Sequence, residues 1–325
     1  MTMPAHAFFR GRVVPYGEAR VGVMTHALNY GTACFAGIRA YWNAKEAELF
    51  VFRPTEHFER FLESARLLDM ALPHTPATLT EALVELLRAE LYREDCYARP
   101  LAFYSDESIG VRLHNLTPEV SIVAMPYGRY IENDESLHAT VSSWRRVDDT
   151  MIPPRGKIAG AYVNSAFAKT DAQRAGFDEA IVLNQDGHVS EASAANFFLV
   201  RRGTAITPPV SDNVLEGITR RSVIELLTKE LGVPVIERSI DRTEITLADE
   251  VFLCGTGVQI AAVTRVDHRP IGSGRMGSVV SSLRSLFFEV VRGTRPEYRR
   301  WCHPVYEDAT PREDSARAGR ASTRP

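Results

Sequence analysis

The chain has 325 residues, 45% of them apolar and 24% charged, with a formal net charge of −3. This mixed, near-neutral balance gives no basic face for a nucleic-acid backbone, and no apolar run approaches the ~20 residues that a membrane-spanning helix requires. The four cysteines, Cys34, Cys96, Cys254 and Cys302, are far apart and form no C-x-x-C, which argues against a zinc knuckle or a disulfide framework and fits a reducing cytosol.

The stretch MTMPAHAFFRGRVV has no apolar segment after a basic start, so no signal peptide is expected. HAFFRGRVVPYGEARV predicts a hairpin, broken by Arg10, Gly11 and Arg12 and again around Pro15 and Gly17. FAGIRAYWNAKEAELFVFRP predicts another, turning at 43–46. TEHFERFLESARLLDM then carries helical spacing at Phe58, Phe61, Leu62, Ala65 and Leu68, with Thr55 as the expected N-cap. TLTEALVELLRAELYRED predicts a second amphipathic helix, and CYARPLAFYS and EVSIVAMPY predict strands.

Composition turns polar and aperiodic at 127–136. Length gives room for two domains, so an N-terminal α/β domain at 1–127, a linker at 128–136 and a second domain at 137–307 are expected. The second part opens with a strand near HATVSSWRRV, then PPRGKIAGAYVNSAFAKTDAQRAG, whose helix stops at Gly176. DEAIVLNQDGHVSEASAANFFLVRRGTAITPP holds three or four strands, with tight turns at Asp186-Gly187 and Arg202-Gly203. GITRRSVIELLTKELG is a helix ending at Gly232, VPVIERSID and EVFLCGTGVQIAAVTRVDHRPIG are strands, and SVVSSLRSLFFEVVRG is a last helix. The polar tail at 308–325 lacks apolar anchors, which predicts disorder. Strands and helices mix without regular βαβ alternation, so the fold class is α+β with antiparallel pairing prominent.

Three groups of residues could carry chemistry. Lys157, among glycines and small residues, fits either a solvated loop lysine or a buried amine of lowered pKa. Glu191, in SEASAANFF, fits either an edge-strand carboxylate facing water or an acid beside a flat ligand, because its neighbours have little bulk. Gly217, Ile218 and Thr219 at a helix start, and Gly255, Thr256 and Gly257 after a strand, fit plain caps and turns or an anion cradle of backbone N–H groups. Arg60 is either a solvated helix arginine or a fork for phosphate. Together, an amine, an acid, an arginine and anion-binding turns are the parts that hold pyridoxal 5′-phosphate.

The chain resembles the branched-chain amino-acid aminotransferases of the class IV, fold-type IV pyridoxal-phosphate family. EASAANFF fits the class IV signature. HALNYGTACFAGIRAYW, FRPTEHFERFLESARLL, YARPLAF, GAYVNS, LEGITRRSVIELL and ADEVFLCGTG resemble its other landmarks in order, so the likeness runs over roughly 16–306. The resemblance implies a smaller N-terminal domain, a larger cofactor-binding domain with a β-barrel-like core, and a site between them.

It also implies roles. Lys157 matches the Schiff-base lysine, Glu191 the acid on the pyridinium nitrogen and Arg60 the phosphate arginine. Gly217, Ile218, Thr219 and Thr256 match phosphate contacts; Tyr162 lies beside the ring and Leu215 packs on its face. Tyr97, Arg99 and Gly257 match the substrate-carboxylate region. Phe35 and Tyr30 match pocket walls, with Tyr30 reaching a neighbouring subunit's site in a homodimer or larger assembly. No metal is implied. The expected substrates are branched-chain or related hydrophobic L-amino acids and 2-oxo acids, commonly 2-oxoglutarate. Ala36, where the family commonly has glutamate, predicts altered substrate preference. Ala192 and Ala195 also depart from the common pattern. Rival readings are a D-amino-acid or (R)-amine transaminase, an aminodeoxychorismate-type lyase, and a non-catalytic binding protein on the same fold.

Overall fold

A computed structural model describes residues 3–128 and 133–307. The disorder expected at 308–325, and residues 129–132 of the expected linker, lie outside the described residues.

The first half contributes β1 (His6–Phe9), β2 (Arg12–Pro15), α1 (His26–Tyr30), β3 (Ala33–Phe35), β4 (Ile38–Asn43), β5 (Glu48–Phe52), α2 (Pro54–Leu67), α3 (Pro76–Glu90), β6 (Cys96–Tyr104) and β7 (Pro118–Pro126). The second contributes β8 (Leu137–Arg145), α4 (Tyr162–Arg174), β9 (Glu179–Leu183), β10 (Val189–Ala192), β11 (Asn196–Arg201), β12 (Thr204–Thr207), α5 (Ile218–Lys229), β13 (Val235–Glu237), β14 (Glu250–Gly255), β15 (Gln259–Val266), β16 (Arg269–Pro270), α6 (Ser278–Val291) and β17 (Cys302–Pro304).

One sheet runs β17-β5-β4-β6-β7-β1-β2, with β3 also on β6. The other runs β10-β9-β8-β15-β14-β11-β12-β13, with β16 on β15. Pairing is antiparallel except at β8–β9, β8–β15 and β12–β13. Ala192 N–H donates to Ala195 O at 2.8 Å, bringing β10 back beside β11 and giving the second sheet its barrel-like curvature. β17 crosses back to pair with β5, so the last described residues of the 137–307 span lie on the first sheet.

Strand alternation builds the cores. On β11, Phe197 and Leu199 enter the barrel interior, while Phe198 and Val200 pack toward α5 and α6. On β14, Val251 and Leu253 take the first face, Phe252 and Cys254 the second. Both faces are covered, so these strands read as continuous apolar runs rather than alternating ones. In the first half, Phe58, Phe61 and Ala65 of α2 join Leu79, Leu83 and Leu86 of α3 over the sheet.

Local signals set several boundaries. Arg202 and Gly203 have φ of 50° and 75°, the left-handed pair that a two-residue hairpin between β11 and β12 needs. Thr75 caps α3 through Thr78 N–H at 3.2 Å, and Thr78 Oγ1 accepts from Thr75 N–H. The expected N-cap at Thr55 is displaced. The helix starts two residues earlier, with Pro54 at its first position and Arg53 as cap, because proline's fixed φ suits that place and its missing N–H costs nothing there.

Candidate active site

A cavity of about 500 Å³ lies where the two halves meet. Its walls include Lys157, Arg60, Tyr162, Glu191, Leu215, Gly217, Ile218, Thr219, Thr256, Gly257, Phe35, Tyr97 and Arg99. Phe35 and Gly257, 222 positions apart in sequence, thus meet in one space. Tyr30 does not join them. It sits on α1, its ring tilted against His26 with centroids 4.7 Å apart, and its hydroxyl accepts from Gly110 N–H at 3.1 Å.

Lys157 lies between the halves. Its N–H donates to Ser64 Oγ on α2 at 3.0 Å, and its carbonyl accepts from Phe35 N–H at 3.0 Å. The backbone is therefore pinned to the first half while the amine points into the cavity. Nζ donates to Tyr162 Oη at 2.5 Å and lies 5.1 Å from the ring centroids of both Phe35 and Tyr162. Burial, then the nearby Arg60 guanidinium, pull the amine from its ordinary value of 10.5 down to about 7. Tyr162 moves the other way. Burial and the Glu191 charge push its phenol up to about 12, so it stays protonated at neutral pH.

The opposite end is built on a carboxylate. Glu191 lies on β10, the terminal strand of the second sheet, but is 4% exposed and does not face water. Oε1 pairs with Arg146 Nη2 at 2.7 Å; Oε2 accepts from Asn196 Nδ2 at 3.1 Å and from Leu215 N–H at 3.2 Å. Asn196 Nδ2 also donates to Leu215 O at 2.9 Å, so Leu215 is held by its backbone while its side chain lines the cavity. Arg146 is itself anchored to Asn213 O at 3.2 Å.

Arg60 comes off α2 and donates to Glu216 O at 3.1 Å, beside the N-terminus of α5. Gly217 caps that helix. A Cβ added to Gly217 would stand 2.0 Å from Asn196 Oδ1, so only glycine permits this approach. The region is strongly positive. His57 is fully buried with an unpartnered Nδ1, and burial, then Arg60, Lys157, Arg53 and Arg221, hold it neutral. The helix N-terminus, a guanidinium with no ion pair among the described residues and crowded cations make this end an anion site.

Beyond Lys157 the wall turns aromatic. Arg99 lies over the Phe35 ring at 4.5 Å, and its Nη2 donates to Tyr97 Oη at 3.0 Å. Phe35 and Tyr162 meet edge to face at 4.7 Å. Val123, Met125 and Tyr127 complete an apolar pocket. Ala36 is not part of it. Phe35 and Gly37 face the cavity, whereas Ala36, between them, is 1% exposed in the α2–α3 core. The expected effect of Ala36 on substrate choice therefore loses its geometric basis.

Sequence reading missed Arg146, Arg39 and the role of Asn196. Arg39 carried a signal: a charge inside the apolar run IRAYW must find partners if the strand is buried. Arg146 carried none, since nothing local distinguishes it from the exposed Arg145 beside it.

A family model described as "Amino-transferase class IV" matches residues 33–266. A probable branched-chain-amino-acid aminotransferase from Aquifex aeolicus is 48% identical over 301 residues, 93% of this chain and 97% of the relative. The crystal structure of a branched-chain aminotransferase from Thermoproteus uzoniensis with norvaline aligns with TM-score 0.89 at 40% identity, covering 93% of this chain and all of the other. The branched-chain amino acid aminotransferase from Thermobaculum terrenum, in its PLP form, aligns with TM-score 0.90 at 38% identity, covering 94% and 99%. This chain belongs to the class IV aminotransferase family.

Proposed function

We propose that the protein is a pyridoxal-phosphate-dependent aminotransferase acting on branched-chain or related hydrophobic L-amino acids, with 2-oxoglutarate as the common acceptor. The observation that carries the reading is one cavity holding an amine lowered to about 7, a fixed carboxylate, an anion site and an apolar pocket.

The residues fit the cofactor at each point where it needs a partner. Lys157 supplies the amine for covalent attachment. Glu191, paired with Arg146, supplies an acceptor for a ring N–H. Arg60, the α5 N-terminus and the Thr256 hydroxyl supply phosphate contacts. Tyr162 supplies a phenol at the ring edge, and Leu215 an aliphatic surface. Bound there, pyridoxal phosphate supplies an electron sink for charge developing at the substrate α-carbon.

The chain's own groups do the rest. With a pKa of about 7, Lys157 Nζ is roughly half neutral at neutral pH and can take a proton from the α-carbon and give it back. Tyr162, protonated, orients that amine. Phe35, Val123, Met125 and Tyr127 receive a branched apolar side chain and exclude water. Tyr97 and Arg99 present a phenol and a guanidinium at the mouth, where a carboxylate enters.

An exposed apolar patch supports a homodimer. Val23, Leu28, Ile109 and Val111 are 65–88% exposed, on segments tied by His26 N–H to Asp106 O at 2.8 Å and by Gly110 N–H to Tyr30 Oη. Among the described residues no helix is long and apolar enough to cross a membrane, and the four cysteines are free thiols, which fits a reducing compartment.

The test is product analysis. Cofactor-loaded protein given L-leucine and 2-oxoglutarate should form L-glutamate and 4-methyl-2-oxopentanoate in equal amounts. Turnover of D-leucine or of an amine, with none of L-leucine, would refute the reading.

A further inference from the structure

Two buried arginines of the first half reach across to the second. Arg39, on β4, gives its guanidinium to the main-chain carbonyls of Tyr127, Gly128, Thr256 and Gly257. Arg53, the cap of α2, reaches side chains instead, and the reaction as described does not use it. It is 7% exposed and does not line the cavity.

The backbone of Arg53 is left-handed, with φ of 47° and ψ of 51°. That conformation suits glycine and strains a residue with a Cβ, so an arginine held there points to a task for its side chain. Its contacts lock it in place. The N–H donates to Trp301 O at 2.7 Å, and the guanidinium lies over the Trp301 ring, 4.2 Å from the centroid. Nε donates to Glu56 Oε1 at 2.6 Å in the first turn of α2. Nη1 donates to Ser222 Oγ on α5 at 2.8 Å, and that hydroxyl donates in turn to Ile218 O at 2.9 Å.

These contacts lead to both walls of the anion site. Arg60 lies about two turns further along the helix that Arg53 caps. Ile218 opens α5 and lines the cavity. The two walls carry like charge: after burial, it is Arg60, Lys157, Arg53 and Arg221 that disfavour a charge on His57, and the α5 N-terminus adds its own positive end. Cations crowded in this way repel, which drives α2 and α5 apart. Arg60 ties them at the cavity through Glu216 O at 3.1 Å. Arg53 ties them one turn behind, through a serine that is fully buried.

We propose that Arg53 is a positioning residue for the cofactor phosphate. It holds the Arg60 helix and the α5 N-terminus at a fixed spacing against their mutual repulsion, so that the anion meets a preformed cradle. This inference rests on the transaminase reading above.

The test compares two ligands that differ in the phosphate alone. Pyridoxal 5′-phosphate and pyridoxal are titrated into the full chain freed of cofactor, and the absorption of the lysine-bound aldehyde is followed. The proteins are the wild type, Ser222→Ala, Arg53→Met and the double variant. Affinity for the phosphate ligand should fall about tenfold in each single variant, as expected for losing a charge-assisted hydrogen bond, while pyridoxal affinity is unchanged. The double variant should lose little more than Arg53→Met alone, because both changes break one link. Ser222→Ala removes only a hydroxyl, so it gives the answer even where Arg53→Met fails to fold. Equal losses for both ligands, which a general loosening of the fold would give, overturn the inference. Full affinity for the phosphate ligand in Ser222→Ala, or losses that add in the double variant, overturn it as well. Leucine turnover by the wild type, measured alongside, separates failure of the transaminase reading from failure of the role given to Arg53.

Discussion

The two ends of the cavity handle charge in opposite ways. At Glu191 the carboxylate has three partners, one of them the buried Arg146 guanidinium at 2.7 Å. At Lys157 the neighbours are Tyr162, two aromatic rings and the cation Arg60, and among the described residues no carboxylate forms an ion pair with the amine. One end surrounds a carboxylate with donors, and the other surrounds an amine with groups that disfavour its charge. A permanent acceptor and a proton carrier need these opposite surroundings, and burial alone would not distinguish them.

Removing the proton carrier should have the largest effect. Lys157→Ala should lower leucine transamination by roughly four orders of magnitude, the upper end for a lost general acid–base group. Steady-state rates measure this. In the wild type, the neutral fraction of Lys157 grows as pH rises through its pKa. If its release governs the rate, the acidic limb of the pH–rate profile should fall as pH drops through about 7. A limb near 10.5 would mean the amine is not desolvated.

Breaking the fixed end should cost stability as well as rate. Arg146→Met removes one partner of a buried ion pair, a loss of about 3–5 kcal/mol. Denaturant unfolding reads it. Glu191→Gln keeps the shape and should lower turnover about a hundredfold; its oxygen still accepts from Asn196 and Leu215, but its amide nitrogen then faces the Arg146 guanidinium, so stability falls as well.

Gly217→Ala tests the anion site. Its Cβ would meet Asn196 Oδ1 at 2.0 Å, so cofactor affinity should weaken about tenfold, read by equilibrium dialysis. The smallest effect on substrate choice is expected at Ala36, although a carboxylate added in this apolar core costs stability. Ala36→Glu should leave the ranking of leucine, isoleucine and valine unchanged, because the residue belongs to the core and not to the cavity. A reordered ranking in competition assays would restore Ala36 to the substrate pocket.

Much of this arrangement was legible in the sequence, for identifiable reasons. The helices α3 and α5 carry apolar spacing over several turns, and Arg202-Gly203 demands its hairpin. The amine, the acid and the anion-binding turns are unusual residues in small-residue settings, so they stood out before their contacts were known. What escaped depends on tertiary placement. The guanidiniums of Arg146 and Arg39 gain their meaning from partners 45 and 217 residues away in sequence. The side of the backbone that Ala36 occupies follows from where β3 ends and β4 begins, which composition does not give. The Thr55 cap yielded to Pro54 because local propensity gave two adjacent starts and the chain used the proline.

The most direct test of the account is the absorption spectrum of the protein loaded with pyridoxal phosphate, before and after adding L-leucine with no oxo acid present. The account predicts that the band of the lysine-bound cofactor gives way to that of its amine form, and that the same experiment on Lys157→Ala shows no such conversion on the same timescale. A wild-type spectrum that L-leucine leaves unchanged would contradict it.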